Sequence, residues 1–111
     1  MTKYIHLLIF LFTLQSANAA EVNIYSARKE ALIKPLLDQF SKETGIAVNI
    51  VTGKADTLLK RLEAENKNSP ADMLLTVDVA RLVRAKEKAL LQEIDSKLLN
   101  QVIPKNYRDD D

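Results

Sequence analysis

Two hydrophobic rhythms alternate along this chain. Short apolar runs, too brief for helices, occur at Val22–Tyr25, Ile46–Val51 and Ala71–Val77. Such runs read as strands, and the first suits a central parallel strand covered on both faces. After each run, apolar residues recur at helical spacing. The sets are Leu32, Ile33, Leu36, Leu37 and Phe40; then Ala55, Leu58, Leu59 and Leu62; then Val79, Leu82, Val83 and Leu90. Each set makes a stripe that a helix turns inward. The order β-α-β-α-β-α predicts an α/β fold with a parallel sheet, flanking helices and right-handed crossovers. Ile94 adds a short extended piece. Ser96 then caps a last short helix through Leu98, Leu99 and Val102, which Pro104 stops.

The punctuation between these elements refines their limits. Proline is tolerated only in the first turn of a helix, so Pro35 predicts a regular start near Leu32, with 27–31 an irregular turn. Gly45 closes that helix in a left-handed conformation. Asp38 and Lys42, four apart on its outer face, form a weak pair. The polar stretch Asn66–Pro70 closes the second helix. Only Gly45 and Gly53 occur in the chain, so glycine-rich phosphate loops are absent.

In a parallel α/β sheet, ligands bind beyond the carboxyl ends of the strands, where helix N-termini present free N–H groups. The turns Ser26–Lys29, Thr52–Ala55 and Thr76–Asp78 fall at that edge. Ser26 offers a hydroxyl there and Arg28 a guanidinium, a combination suited to an anion. Each residue also has a plainer use. Ser26 can cap its own turn, and Arg28 can pair with Glu30 on the surface. Asp78 can cap the third helix, where its charge suits the positive end. Glu30 is either a ligand or a solvated first-turn carboxylate. Tyr25, inside a strand, reads as structural, and Tyr107, in a polar tail, as a surface or docking residue.

Composition narrows the function classes. The 111 residues include 16 Lys and Arg against 15 Asp and Glu, a net charge of +1. That balance argues against a nucleic-acid partner. The absence of cysteine removes thiol catalysis, Cys-type zinc sites and iron–sulfur ligation. Residues 1–19 read as a secretory signal peptide. Lys3 is its basic start, Ile5–Leu14 its apolar core, and Ala17-Asn18-Ala19 its cleavage signal, cut before Ala20. The apolar core is shorter than the roughly 20 residues a membrane span needs. The alternative for this stretch is a buried or interfacial N-terminal helix. His6, the one histidine, falls within the leader. An enzyme built on residues 20–111 would therefore rely on carboxylates, lysines or serines, and no diagnostic spacing of these occurs.

With these elements in place, VNIYSARKEALIKPLLDQFSKETGIAVNIV resembles the start of the bacterial ferric-iron substrate-binding proteins that serve ABC importers. KADTLLKRLEAE, SPADMLLTVDVARL and ALLQEI continue the likeness in order. The resemblance covers 21–111. It implies a partial periplasmic-binding-protein lobe of type II-like topology, with 20–111 as the N-terminal part of the first of two lobes. Such proteins are longer, so a fragment or truncated reading frame is expected. The implied function is periplasmic capture of Fe³⁺, with carbonate as a synergistic anion, for delivery to a permease at the inner membrane. The implied partners are that permease and a small inorganic ligand, with the protein a monomer and not an enzyme.

Family members supply tyrosine phenolates to the iron, including an adjacent tyrosine pair in the later chain. No Tyr-Tyr pair occurs here, so no metal ligand is expected within this chain. One branch of the family places a histidine just after the turn arginine. Here those positions are Lys29 and Glu30, a departure that points to the branch using later tyrosines and a bound carbonate. Arg28 matches the turn arginine, and a guanidinium can hold such an anion in bidentate fashion. The expected anion or ligand contacts at the cleft edge are thus Ser26, Arg28 and Asp78. Two alternatives remain: a binding protein for another small anion or a polyamine, and a short exported interaction module.

Overall fold

The computed structural model describes residues 19–109. The leader assignment, apart from Ala19, lies outside the described residues, as do His6, Asp110 and Asp111. Strand β1 (Glu21–Ser26) leads to helix α1 (Glu30–Thr44), β2 (Ala47–Thr52), α2 (Ala55–Glu65), β3 (Met73–Leu75), α3 (Val79–Glu87) and α4 (Lys97–Val102). The strands form a parallel sheet in the order β2-β1-β3. Tyr25 aligns with Val51 on one side and Leu74 on the other. The α/β order read from the periodicity is therefore the observed one. No helix among the described residues is long and apolar enough to cross a membrane.

As the central strand, β1 is buried where it ends: Ile24, Tyr25 and Ser26 are 4%, 1% and 0% exposed. Alternation sends Tyr25 to one face and its neighbours to the other. On the Tyr25 face, Leu58 and Leu62 of α2 close over the ring, with Ala27, Ala71, Leu74 and Leu90 around them. A cluster of this kind is the main stabilising term of a small α/β unit.

Several limits differ from those the sequence predicts. Helix α1 starts at Glu30, two residues before Leu32, and carries Pro35 inside it. The residue four before Pro35 is Ala31, in the first turn, so the ring costs one early bond. The outer pair on α1 is Lys34–Asp38 at 2.8 Å, not Asp38–Lys42. Strand β3 is only Met73–Leu75, the three residues that pair with Ile24–Ser26 of β1. Ile94 lies in no strand and is exposed.

The larger correction concerns α1 and α3: on α1, Leu32 and Leu36 are exposed and Ile33 is the buried residue of the stripe. Periodicity turns Val79, Leu82 and Val83 inward, yet Val79 is 71% and Val83 47% exposed, and the buried residue of α3 is Ala85. Leu90 lies beyond the helix, brought back to the Tyr25 cluster by the turn at Lys88–Leu90. There Ala89 N–H donates to Lys86 C=O at 2.8 Å and Leu90 N–H to Ala85 C=O at 3.0 Å. This is a left-handed helix end with Ala89, φ 54°, where glycine is usual. Gly45 ends α1 in the same conformation, as its position predicts.

Candidate functional site

The carboxyl ends of the strands bring the three turns together. Ala27 N–H donates to Leu75 C=O at 2.8 Å, and Gly53 N–H donates to Ser26 C=O at 3.1 Å. The β1 turn is thus stitched to the β3 turn on one side and to the β2 turn on the other. Gly53 sits close against α2, since a Cβ there would meet the Leu58 side chain at 3.3 Å.

Within the first turn the Ser26 hydroxyl works locally. Its Oγ accepts from Arg28 N–H and donates to Arg28 C=O, both at 3.2 Å. Such a bond closes the turn and fixes the backbone that carries Arg28. Arg28 itself is exposed, and its guanidinium makes no hydrogen bond or ion pair among the described residues. The surface pair with Glu30 does not form. Lys29, at the N-cap of α1, supplies no side-chain cap, and neither does Lys54 at the N-cap of α2. Two helix N-termini therefore meet this edge without a side-chain cap, accompanied by three cations. Free N–H groups and the helix dipole favour an anion in such a place.

The third turn is built differently. Thr76 Oγ1 donates to Asp78 C=O at 2.9 Å. Asp78 Oδ1 accepts from Arg81 N–H at 3.3 Å, the capping bond, and Asp78 Oδ2 accepts from Arg81 Nη1 at 2.8 Å. Arg81 Nε also reaches Asp56 Oδ1 at 3.4 Å, and Arg84 Nη1 reaches the same oxygen at 3.3 Å. The hydrogen bond and charge of Arg81 hold the Asp56 carboxyl below its ordinary range. Sequence reasoning placed Ser26, Arg28 and Asp78 at one edge, and the structure puts their turns side by side. It adds Lys54, Asp56 and Arg81. Lysine at an N-cap, where Ser, Thr, Asp or Asn is usual, was the available signal for Lys54. The Asp56–Arg81 pair spans 25 positions and had no local signal.

Tyr25 is not part of this edge. Its hydroxyl donates to Glu65 Oε2 at 2.8 Å, Arg61 lies 4.8 Å from its ring centre, and Ser69 Oγ donates to the same Glu65 oxygen at 2.8 Å. Burial, then the Glu65 bond, raises the phenol above its usual pKa. A phenol so placed is a core residue and not a free metal ligand. Tyr107 is exposed. Among the described residues, no group of three or more His, Cys, Asp or Glu gathers in a way that could hold a metal.

Residues 25–111 match the bacterial extracellular solute-binding protein family. The chain belongs to that family. This solute-binding chain is 47% identical over 91 residues to Iron uptake protein A1 of Synechocystis, a match covering 82% of the chain and 25% of the relative. In structure it resembles a Trichodesmium protein in complex with iron and citrate: TM-score 0.77, 45% identity, 82% of this chain and 29% of that one. It likewise resembles apo ferric ion-binding protein A of Pasteurella haemolytica: TM-score 0.77, 49% identity, 83% of this chain and 28% of that one. The solute-binding chain thus spans little more than a quarter of the relatives it matches, and the partial lobe read from its sequence is the fold they share.

Proposed function

We propose that residues 20–111 form the N-terminal part of the first lobe of a two-lobed periplasmic solute-binding protein. Residues 1–19 serve as its signal peptide. The whole protein captures ferric iron and delivers it to an ABC permease in the inner membrane. No bond is made or broken in this role, so it is not an enzyme. The observation that supports the reading best is the likeness, at 45% identity, to a protein in complex with iron and citrate. Closure of two lobes about the ligand would supply the switch the permease reads.

In this reading Ser26 and Arg28 hold an oxyanion that accompanies the metal, carbonate in the simplest case. Ser26 shapes the turn, Arg28 supplies a bidentate cation, and the uncapped start of α1 supplies N–H donors. Asp78 stands at the rim with its carboxylate engaged by Arg81. The iron-binding phenolates belong to the portion of the protein beyond this chain, since Tyr25 is committed to Glu65. A metal-free oxyanion is the second reading, favoured by the unpaired Arg28 guanidinium.

The test is isolation of the native product from a periplasmic extract, with intact mass and bound metal measured together. The expected product starts at Ala20, is several times heavier than 20–111, and carries Fe³⁺ after exposure to ferric citrate. A product of that larger mass that takes up no iron overturns the ferric reading and leaves the oxyanion. A product with the mass of 20–111 alone overturns the two-lobed reading.

A further inference from the structure

Around the candidate site the charges are unevenly shared. Arg28, Lys29 and Lys54 have no acidic partner among the described residues. The β3–α3 turn, by contrast, brings a carboxylate to the same edge. Asp78 follows Leu75 by three residues, and Leu75 C=O already accepts from Ala27 N–H at 2.8 Å. Without the Arg81 side chain, Asp78 would keep only its capping bond and stand as an uncompensated carboxylate near a turn that carries a free guanidinium. Its charge would then repel an incoming anion and weaken binding at the turn.

Arg81 prevents this by geometry. Its Nη1 holds Asp78 Oδ2 at 2.8 Å, while its backbone N–H, in the first turn of α3, holds Oδ1 at 3.3 Å. Both Asp78 oxygens are thus directed toward α3. On the other side, Arg81 Nε is anchored to Asp56 of α2, which Arg84 also contacts. The four charged groups cancel one another, so the positive character of the edge is left to Arg28, Lys29 and Lys54. We propose that Arg81 is a positioning residue for anion binding at the Arg28 turn, holding Asp78 back and cancelling its charge. This rests on the anion reading above.

The test is a bicarbonate titration of the ¹⁵N-labelled full chain, followed by the amide shifts of Arg28 and Lys29. The same spectra report whether each variant is folded. Wild type is expected to respond. Arg81→Gln should bind about threefold more weakly, the size expected for one uncompensated charge close to an exposed site. Adding Asp78→Asn to Arg81→Gln should restore the affinity, because asparagine caps a helix as well as aspartate does. A merely structural Arg81 would not be rescued in this way. Arg81→Lys, which keeps the charge, should stay near wild type.

Unchanged binding by a folded Arg81→Gln, or no rescue by the double variant, overturns the role of Arg81 and leaves the anion reading standing. No response from wild type overturns the anion reading and the role of Arg81 with it. Should Arg81→Gln not fold, Asp78→Asn alone decides. It frees the Arg81 charge, so binding must be at least as tight as wild type, and weaker binding overturns the proposal.

Discussion

Around Tyr25, side chains of α2 close over the central strand, and a second line of polar contacts closes over them. From α3 onward an apolar stripe of the same kind faces solvent. Leu58 and Leu62 are buried, while Val79, Val83, Leu91, Leu98 and Val102 are exposed. Both regions obey helical periodicity, so the difference does not lie in amphipathicity. It lies in what each stripe has to pack against. Helix α2 finds the face of β1, the strand with neighbours on both sides. Helix α3 follows β3, which has a neighbour on one side only, and its outer stripe lines an open groove with residues 106–109 instead of a packed core. Exposed apolar surface on this scale marks an interface, and in the reading proposed above the remainder of the lobe would cover it.

The comparison is broken most directly by truncating one residue in each region. Leu58→Ala should cost about 2–5 kcal/mol, as cavities in packed cores do. Val83→Ala should fall within about 0.5 kcal/mol, because it removes surface that is already wet. Urea unfolding of the two variants measures both. Equal losses would mean that the α3 stripe is covered in solution, by a second copy or by a segment outside 19–109, and the contrast between the regions would disappear.

How much was legible in the sequence follows the same division. The strand and helix order, the left-handed Gly45, and the Asp78 and Ser96 caps were all readable, because each depends on residues within a few positions. So was the shared edge of the three turns, since a parallel sheet puts every strand end there. The inward faces of α1 and α3 were misread because periodicity names a stripe and not its partner. The extent of β3 was overestimated because an apolar run of seven residues does not say how many of them find partners on β1. At the site, the residue types of Ser26, Arg28 and Asp78 pointed to their turns. Arg81's hold on both Asp78 and Asp56 could not be foreseen, because the second contact joins two helices. The Tyr25–Glu65 bond, across 40 positions, was out of reach for the same reason.

The junction between the two regions provides a sharper test. Leu90 is the one described residue after α3 that joins the Tyr25 cluster, and it arrives there through Ala89 at φ 54°. An L-residue in that conformation costs roughly 1–2 kcal/mol. Glycine removes the cost but gains freedom in the unfolded chain, worth about 0.4–1 kcal/mol. Ala89→Gly should therefore raise stability by about 0.5 kcal/mol, read as a small upward shift of the urea midpoint. A loss instead would show that Leu90 does not dock and that the C-terminal region is independent of the core.

The smallest effect concerns pH and separates the polar line above the core from the core itself. The hydrogen bond from Arg61, followed by those from Tyr25 and Ser69, holds Glu65 below its ordinary carboxyl range. A depressed carboxylate stabilises the fold above its unfolded pKa, about 4.3, and that contribution is lost as pH falls through the lower folded value. Tyr25 is shifted the opposite way, chiefly by burial. Its contribution is present below the unfolded value of about 10 and is lost as pH rises through the folded one. Melting temperature against pH should therefore fall at both ends. Glu65→Gln should flatten the acid limb and leave the basic limb, because burial of the phenol persists. What remains of the acid limb belongs to Asp56, held down by Arg81. Tyr25→Phe should flatten the basic limb, leaving what Lys34, raised by its hydrogen bond to Asp38, contributes, and keep the acid one, because Arg61 is the first cause of the Glu65 shift. If Glu65→Gln flattened both limbs, the Glu65 bond and not burial would set the phenol, and α2 would meet β1 through a polar contact first and an apolar core second.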